Sequence, residues 1–404
     1  MRTRGVTHTR PELERRTGYT GRDVARTEDP YRERLTAATR TVAAVFIGGM
    51  GVWGLGCGKG DGEGVAAPLR VARVLGEVGS SPGQYSYPRA MAAADDSLWV
   101  MDKLARVQRI DLKTGRARGE FQMPQWEMGK PTGIGIWNPT PVDGDEVIYV
   151  PDTHYFRVMV YRASDAKPGV HSIRASTGTA EVGSESGNAK SPTPLAQFGT
   201  YGEGDGQFVY VTDVALLPSA DGKRVERVYV SEYGGHDRIS IYEPPADVTV
   251  PGGEYRFVRA FGRFGSGAGA DPVEFNRPQS MALDLKRREL VVTDACNHRV
   301  GRFTLDGELV KWISGPGGMG EGPGSFKYPY GVEVMEDGTA MVAEFGNNRL
   351  QRIDLETGES RGVFGVPGRA KGQLSTPWAV TWIGGEAYVL DSGNNRIQVF
   401  EKPD

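Results

Sequence analysis

Cysteine is almost absent from this chain. Only Cys57 and Cys296 occur in 404 residues, so at most one disulfide can form and no disulfide framework supports the fold. No apolar stretch reaches the roughly 20 residues of an ordinary spanning helix, which excludes a polytopic protein built from membrane helices. The net charge of −3 offers no global attraction to nucleic acid or anionic lipid. Glycine is in excess: 57 residues, about twice the usual level of roughly 7%. With proline close to average, that excess points to many turns rather than to helices.

Charge is distributed unevenly. Residues 1–40 hold ten Arg and six acidic residues, a net of +4, so the whole-chain −3 leaves −7 for the remainder. Next comes Thr41 to Gly56 (TVAAVFIGGMGVWGLG), sixteen residues without a charge, about 24 Å as a helix and short for a span. A basic segment, a short apolar core and small residues form the pattern of a secretory signal. Leu55-Gly56-Cys57 resembles the end of a bacterial lipoprotein signal, which implies lipidation at Cys57; Gly54 stands where that pattern wants an aliphatic residue. The alternative is an uncleaved anchor. The polar stretch after Cys57 (GKGDGEG) suits a flexible tether. The expected organisation is a leader and signal or anchor at 1–57, a tether at 58–68 and a folded domain at 69–404.

Within that domain one pattern recurs six times: a short β-type apolar run, an acidic residue, a polar turn, an Arg and an alternating run. The clearest copies are LVVTDACNHRVGRF (290–303), AMVAEFGNNRLQRI (340–353) and AYVLDSGNNRIQVF (387–400). Looser copies lie at 98–110, 148–161 and 228–242. Alternation with period two after each Arg marks half-buried strands joined as hairpins. Upstream of each hairpin lies a Gly-rich loop, usually followed by a Pro and another strand start. Arg-to-Arg spacings of 51, 81, 61, 50 and 47 residues fit a unit of four short strands with insertions, which is a propeller blade. The longest spacing contains a Ser, Gly, Thr and Pro-rich tract, 163–196, read as a surface loop between the third and fourth strands of the second blade.

Asn347-Asn348-Arg349 and Asn394-Asn395-Arg396, with Asn297-His298-Arg299 as a close variant, resemble the turn of the NHL-repeat family, and the resemblance extends over about residues 71–400. It implies an all-β, six-bladed β-propeller of four-stranded blades. The chain stops after the third strand of its last blade, and Leu69 to Leu75 (LRVARVL) can supply the fourth, closing the ring and protecting its edges.

Candidate chemistry falls into three groups. Asp102, Asp152, Glu232, Asp294, Glu344 and Asp391 each precede an Arg by four to six residues, and carboxylate–guanidinium pairs across a turn are read as hairpin staples. His154, His236 and His298 occupy equivalent turns, and three imidazoles can in principle ligate zinc, but those turns lie away from the axis and the expected metal content is none. The residues where the innermost strands start, Arg89, Thr132, Thr212, Gln279, Tyr330 and Trp378, with Asp213 and Ser280 one step further, are mixed in chemistry and do not repeat. They suit recognition of a polar ligand or peptide, set against ordinary packing around a solvent-filled channel. Enzymes on similar propellers, the peptidyl-amidoglycolate lyases, virginiamycin B lyases and gluconolactonases, draw metal ligands from axis-lining residues; none of the six inner positions here is His. The Gly-x-Gly runs precede strands rather than helices, so they do not read as phosphate loops, and Cys296 reads as a small turn residue.

These readings converge on an exported, lipid-anchored binding or scaffolding module of the bacterial periplasm or cell envelope. It is expected to be a monomer without a cofactor, contacting the membrane through its N-terminus, binding a protein or polar small molecule through its inner-loop face, and not binding nucleic acid. The alternative is a lyase or lactone hydrolase using a divalent metal, zinc or calcium, in the channel.

Overall fold

The computed structural model describes residues 69–125, 131–138, 146–168, 191–314 and 318–401. The leader, Cys57 and the tether therefore lie outside the described residues, as do 169–190 of the second-blade insertion.

Six antiparallel four-stranded sheets form the domain and give the six-bladed β-propeller expected from the repeats. From inner to outer strand, the fourth blade runs Pro278–Asp284, Glu289–Asp294, Arg299–Thr304 and Leu309–Ile313. The fifth runs Pro329–Val334, Thr339–Glu344, Arg349–Asp354 and Ser360–Phe364. The sixth is completed from the other end of the domain. Arg70–Leu75 pairs antiparallel with Arg396–Glu401, outside Glu386–Asp391 and Val380–Ile383, which is the ring closure anticipated for 69–75. In the second blade the insertion leaves after Arg157–Arg162 and returns at Ala196–Phe198, between the third and fourth strands.

Alternating apolar residues place one apolar core between each pair of neighbouring sheets, since a twisted sheet must bury both faces to close a ring. The seam between the sixth and first blades, for instance, buries Leu75, Leu98, Val100, Leu390 and Ile397. That between the second and third buries Val147, Val158, Val211 and Val228.

The recurrent turn builds a staple within each blade and a latch to the next. All six acid–Arg pairs form: Asp102–Arg106 at 2.9 Å, Asp152–Arg157 at 3.0 Å, Glu232–Arg238 at 2.6 Å, Asp294–Arg299 at 2.8 Å, Glu344–Arg349 at 2.6 Å and Asp391–Arg396 at 2.7 Å. The guanidinium also donates to carbonyls of the Gly-rich entry loop, as Arg299 does to Gly267 and Glu274. The first Asn of the motif bridges acid and loop: Asn394 donates to Asp391 and to Gly368.

The residue before the Arg adopts a left-handed conformation in five blades, at Ala105, Phe156, His298, Asn348 and Asn395, a region that Asn tolerates better than most side chains. In three of these its side chain accepts a backbone N–H from the following blade. Asn348 receives Thr376 N, Asn395 receives Tyr87 N and His298 Nδ1 receives Tyr328 N. Asp237 does the same for Arg277 N.

Candidate functional site

Four of the six inner strands begin with a local irregularity. Pairing skips one residue between Pro88 and Ala90, between Val211 and Asp213, between Pro278 and Ser280 and between Pro329 and Gly331. The bulged residues are Arg89, Thr212, Gln279 and Tyr330, four of the inner positions singled out from the sequence. A bulge frees a residue from the ladder and re-aims it, and bulges are over-represented beside functional sites. Two residues earlier, Tyr87, Arg277 and Tyr328 precede a proline with φ of 49°, 65° and 49°, and Thr376 before Pro377 has φ of 45°. These are strained backbones for non-glycine residues. Their N–H groups are the ones that the inter-blade latches hold.

The inner strands surround a central cavity of about 210 Å³. Thr132, Asp213, Gln279, Ser280, Tyr330 and Trp378 line it, together with Glu333. Thr212 does not: its hydroxyl donates to Pro278 O at 2.7 Å and meets Ser231 Oγ, so it is spent in the seam. Thr132 likewise donates across the seam to Thr212 O. Gly133 and Gly331 permit this close approach, because a Cβ on Gly133 would lie 2.5 Å from Thr212 O and one on Gly331 2.7 Å from Ala379 Cα.

Two carboxyl groups border the cavity from different blades. Asp213 Oδ2 accepts from Ser280 Oγ and Met281 N, both at 2.9 Å. Burial pushes its pKa up to about 7 despite those donors. Glu333 has the backbone N–H of Trp382 as a partner and is pushed up by burial to about 8.

At the mouth, where the inner strands start, cations and aromatic rings meet. The Arg89 guanidinium lies over Trp378 at 5.1 Å and over Tyr87 at 5.6 Å. Arg277 lies over Tyr233 at 4.8 Å and Tyr330 at 5.2 Å, and donates to Gln279 Oε1 at 2.8 Å. Tyr330 and Trp378 meet edge to face at 4.9 Å, and Phe345 stacks on Tyr330 at 4.5 Å. Burial lowers the pKa of Arg89, and the charge of Arg277 acts in the same direction.

The three histidines are engaged separately. His154 packs against Tyr210, His236 Nε2 contacts Glu203 at 3.1 Å and His298 is an inter-blade latch. Among the described residues no group of three His, Cys, Asp or Glu side chains is placed to hold a metal ion. Cys296 is a free thiol that burial pushes up to about 11, so at neutral pH it is not a thiolate.

Sequence reasoning missed Arg277, Tyr87 and Glu333. The first two stand immediately before the inner-strand proline, a position that carries no signal of its own. Glu333 had none either, because in Pro329–Val334 it reads as an ordinary outward polar residue.

These features define a six-bladed β-propeller with a mixed cationic and aromatic mouth. Residues 275–303 match the NHL repeat family, which identifies this stretch of the fourth blade, including Arg277 and the Arg299 turn, as an NHL repeat. NHL repeat-containing protein 3 from Mus musculus is 32% identical over 101 residues, and that from Homo sapiens 28% over 101 residues. In both cases the match covers 24% of this chain and 28% of the relative. Among solved structures, a Bacteroides thetaiotaomicron protein of unknown function is similar with a TM-score of 0.54 and 16% identity, over 83% of this chain and 76% of that one. Raptor from Chaetomium thermophilum gives 0.50 and 11%, over 84% and 30%. At such identities the similarity is one of fold alone.

Proposed function

We propose that this protein is an exported recognition module, held at the cell envelope by lipid on Cys57, that binds its partner through the mouth of the propeller channel. The observation carrying this reading is the contrast between repeated and unrepeated chemistry. Repeated groups, the six acid–Arg staples, serve the fold; Arg89, Tyr330 and Trp378 occupy equivalent positions with unlike side chains and converge on one end of the channel.

A second feature supports a macromolecular partner. The loops entering the inner strands carry exposed apolar side chains, Val78 (69%), Tyr201 (67%) and Met319 (57%). They lie in short parallel ladders, paired with or beside buried Tyr85, Phe208 and Phe326. By topology these loops end on the same face as the mouth. Exposed apolar groups around a polar centre are a common composition for an interaction surface.

The test is capture of partners by the full chain in its native membrane fraction. The Arg89→Ala/Tyr330→Ala/Trp378→Ala variant is expected to lose them, while a Lys113→Ala/Lys286→Ala variant, altered in exposed turns at the other end of the blades, retains them. Equal capture by both variants removes the mouth as the binding face. Cys57→Ser is expected to move the protein out of the membrane fraction, and unchanged fractionation removes the lipid anchor.

A further inference from the structure

The guanidinium groups of this fold divide into two kinds. Those of the six recurrent turns have carboxylate partners, and so do others away from the turns: Arg302 pairs with Glu289 at 2.7 Å and Arg73 with Glu386 at 2.7 Å. Arg89 is different. Among the described residues it makes no ion pair or hydrogen bond, and its Nε is buried without a partner. A half-buried cation in that condition carries a desolvation cost that its contacts over Trp378 and Tyr87 offset only in part.

Among the described residues no carboxylate pairs with it. Arg277, of the same sign, lies close enough to act on it, and the two guanidiniums flank the Tyr330–Trp378 ring pair at 5.2 and 5.1 Å. The channel carboxyls are committed elsewhere, Asp213 to Ser280 and Met281, and Glu333 to the N–H of Trp382. Trp378 Nε1 is a second buried donor without an acceptor. Two unmet donors, two cations and a set of aromatic faces thus share one place. Neither Arg89 Nε nor Trp378 Nε1 has an acceptor among the described residues.

We propose that Arg89 and Arg277 form a seat for a single oxyanion, a carboxylate or phosphate group on a ligand with a planar or apolar body, bound at the channel mouth against Trp378 and Tyr330. This rests on the mouth being the recognition site and adds the chemistry of what is recognised. The guanidiniums supply charge-assisted hydrogen bonds to the oxyanion. Trp378 Nε1 adds a neutral donor, and the rings of Trp378 and Tyr330 receive the body of the ligand. Arg277 is held in place by its backbone bond to Asp237 and by Gln279, so the seat is organised before the ligand arrives.

The experiment titrates the full chain with hippurate, its neutral amide hippuramide, phenyl phosphate and inorganic phosphate, read by tryptophan fluorescence and calorimetry. Hippurate or phenyl phosphate is expected to bind at least about tenfold more tightly than hippuramide, with affinity falling as salt is raised. The tighter of the two anions assigns the seat to carboxylate or to phosphate. Arg89→Met and Arg277→Met are each expected to weaken the anion about tenfold or more and to leave hippuramide unchanged. Arg89→Met is also expected to melt close to the parent, since no ion pair or hydrogen bond is lost and methionine keeps an apolar contact with Trp378, which separates loss of binding from loss of fold. Equal binding of acid and amide, or unchanged anion binding by Arg89→Met, overturns the seat. If Trp378→Ala then abolishes binding of both, the mouth remains the recognition site without it. Failure of every anion to bind at about 20 mM overturns the seat, and the capture comparison then decides the mouth separately.

Discussion

Asp213 has its carboxylate in the seam between the third and fourth blades, with good hydrogen-bond donors, and yet its pKa is pushed up to about 7. Removal from water outweighs two well-formed bonds. A folded-state pKa above the unfolded value of about 3.9 means that the folded protein holds a proton the unfolded chain has released. Its contribution to stability is fully present below pH 4 and is lost as pH rises through about 7. Asp213→Asn keeps an acceptor for Met281 N without the charge. It is expected to raise stability at pH 8, by up to about 4 kcal/mol, and to leave it unchanged at pH 4; denaturant melts at the two pH values check this. His298 acts with the opposite sign. Burial lowers its pKa, chiefly by desolvation and further by Lys327, and Nδ1 must be unprotonated to accept Tyr328 N. Its contribution is present above the ordinary histidine value of about 6.5 and is lost as pH falls through the lower, folded-state pKa. His298→Asn, which places at this latch the side chain found at Asn348 and Asn395, is expected to hold the seam and abolish that component. An unchanged slope of stability against pH below 6.5 in this variant would show that the latch is not what titrates.

At the scale of one blade, the second-to-third-strand turn is a small polar core. In the fifth blade Glu344 is buried and accepts from Arg349, Asn347, Gln351 and Lys327 N, while Arg349 reaches the entry-loop carbonyls of Glu321, Gly322 and Ser325. Removing the cation leaves a buried carboxylate without its counter-charge and the carbonyls of Glu321 and Gly322 without this donor, while Ser325 O keeps Gln351. Arg349→Ala is therefore expected to cost about 3–5 kcal/mol, whereas Arg361→Ala, removing an exposed partner of Asp354 at the blade rim, should change stability little. Equal losses in chemical denaturation would mean that the turn is not a buried staple. This element was legible in the sequence because the geometry admits few residues: a left-handed position, present in five blades, favours Asn, and a buried acid, present in all six, requires an Arg. The mouth was legible only in part. Arg89, Gln279, Tyr330 and Trp378 could be found by counting from the proline, since the blades share that register. Arg277 and Tyr87 could not be picked out, because a residue before proline is ordinarily extended, and only the latch from the preceding blade holds it at positive φ. Such a bond joins positions 40 residues apart, Asp237 and Arg277, or 308 apart, Asn395 and Tyr87, and no local pattern announces it.

For the whole molecule the decisive contact is the one that joins its ends. Arg70–Leu75 is the outer strand of a blade whose other three strands come from residues 380–401. It is more than a hydrogen-bonded edge. Leu75 enters the core between the sixth and first blades, and Val71 packs on that between the fifth and sixth. Arg73 crosses to Glu386 and Tyr388 Oη, both at 2.7 Å. Deleting residues 70–75 opens the ring and uncovers Arg396–Glu401 as a free edge, a template for strand addition by another chain. The lost side-chain burial is on the order of 5 kcal/mol, comparable with the net stability of an ordinary domain. The deletion is thus expected to replace one cooperative melt by an earlier, broader one, and to produce oligomers in sedimentation. A synthetic peptide LRVARVL added in trans should restore the cooperative transition in proportion to its occupancy. A deletion variant that melts with the parent, monomeric and indifferent to the peptide, would place the closure energy in the inter-blade cores alone.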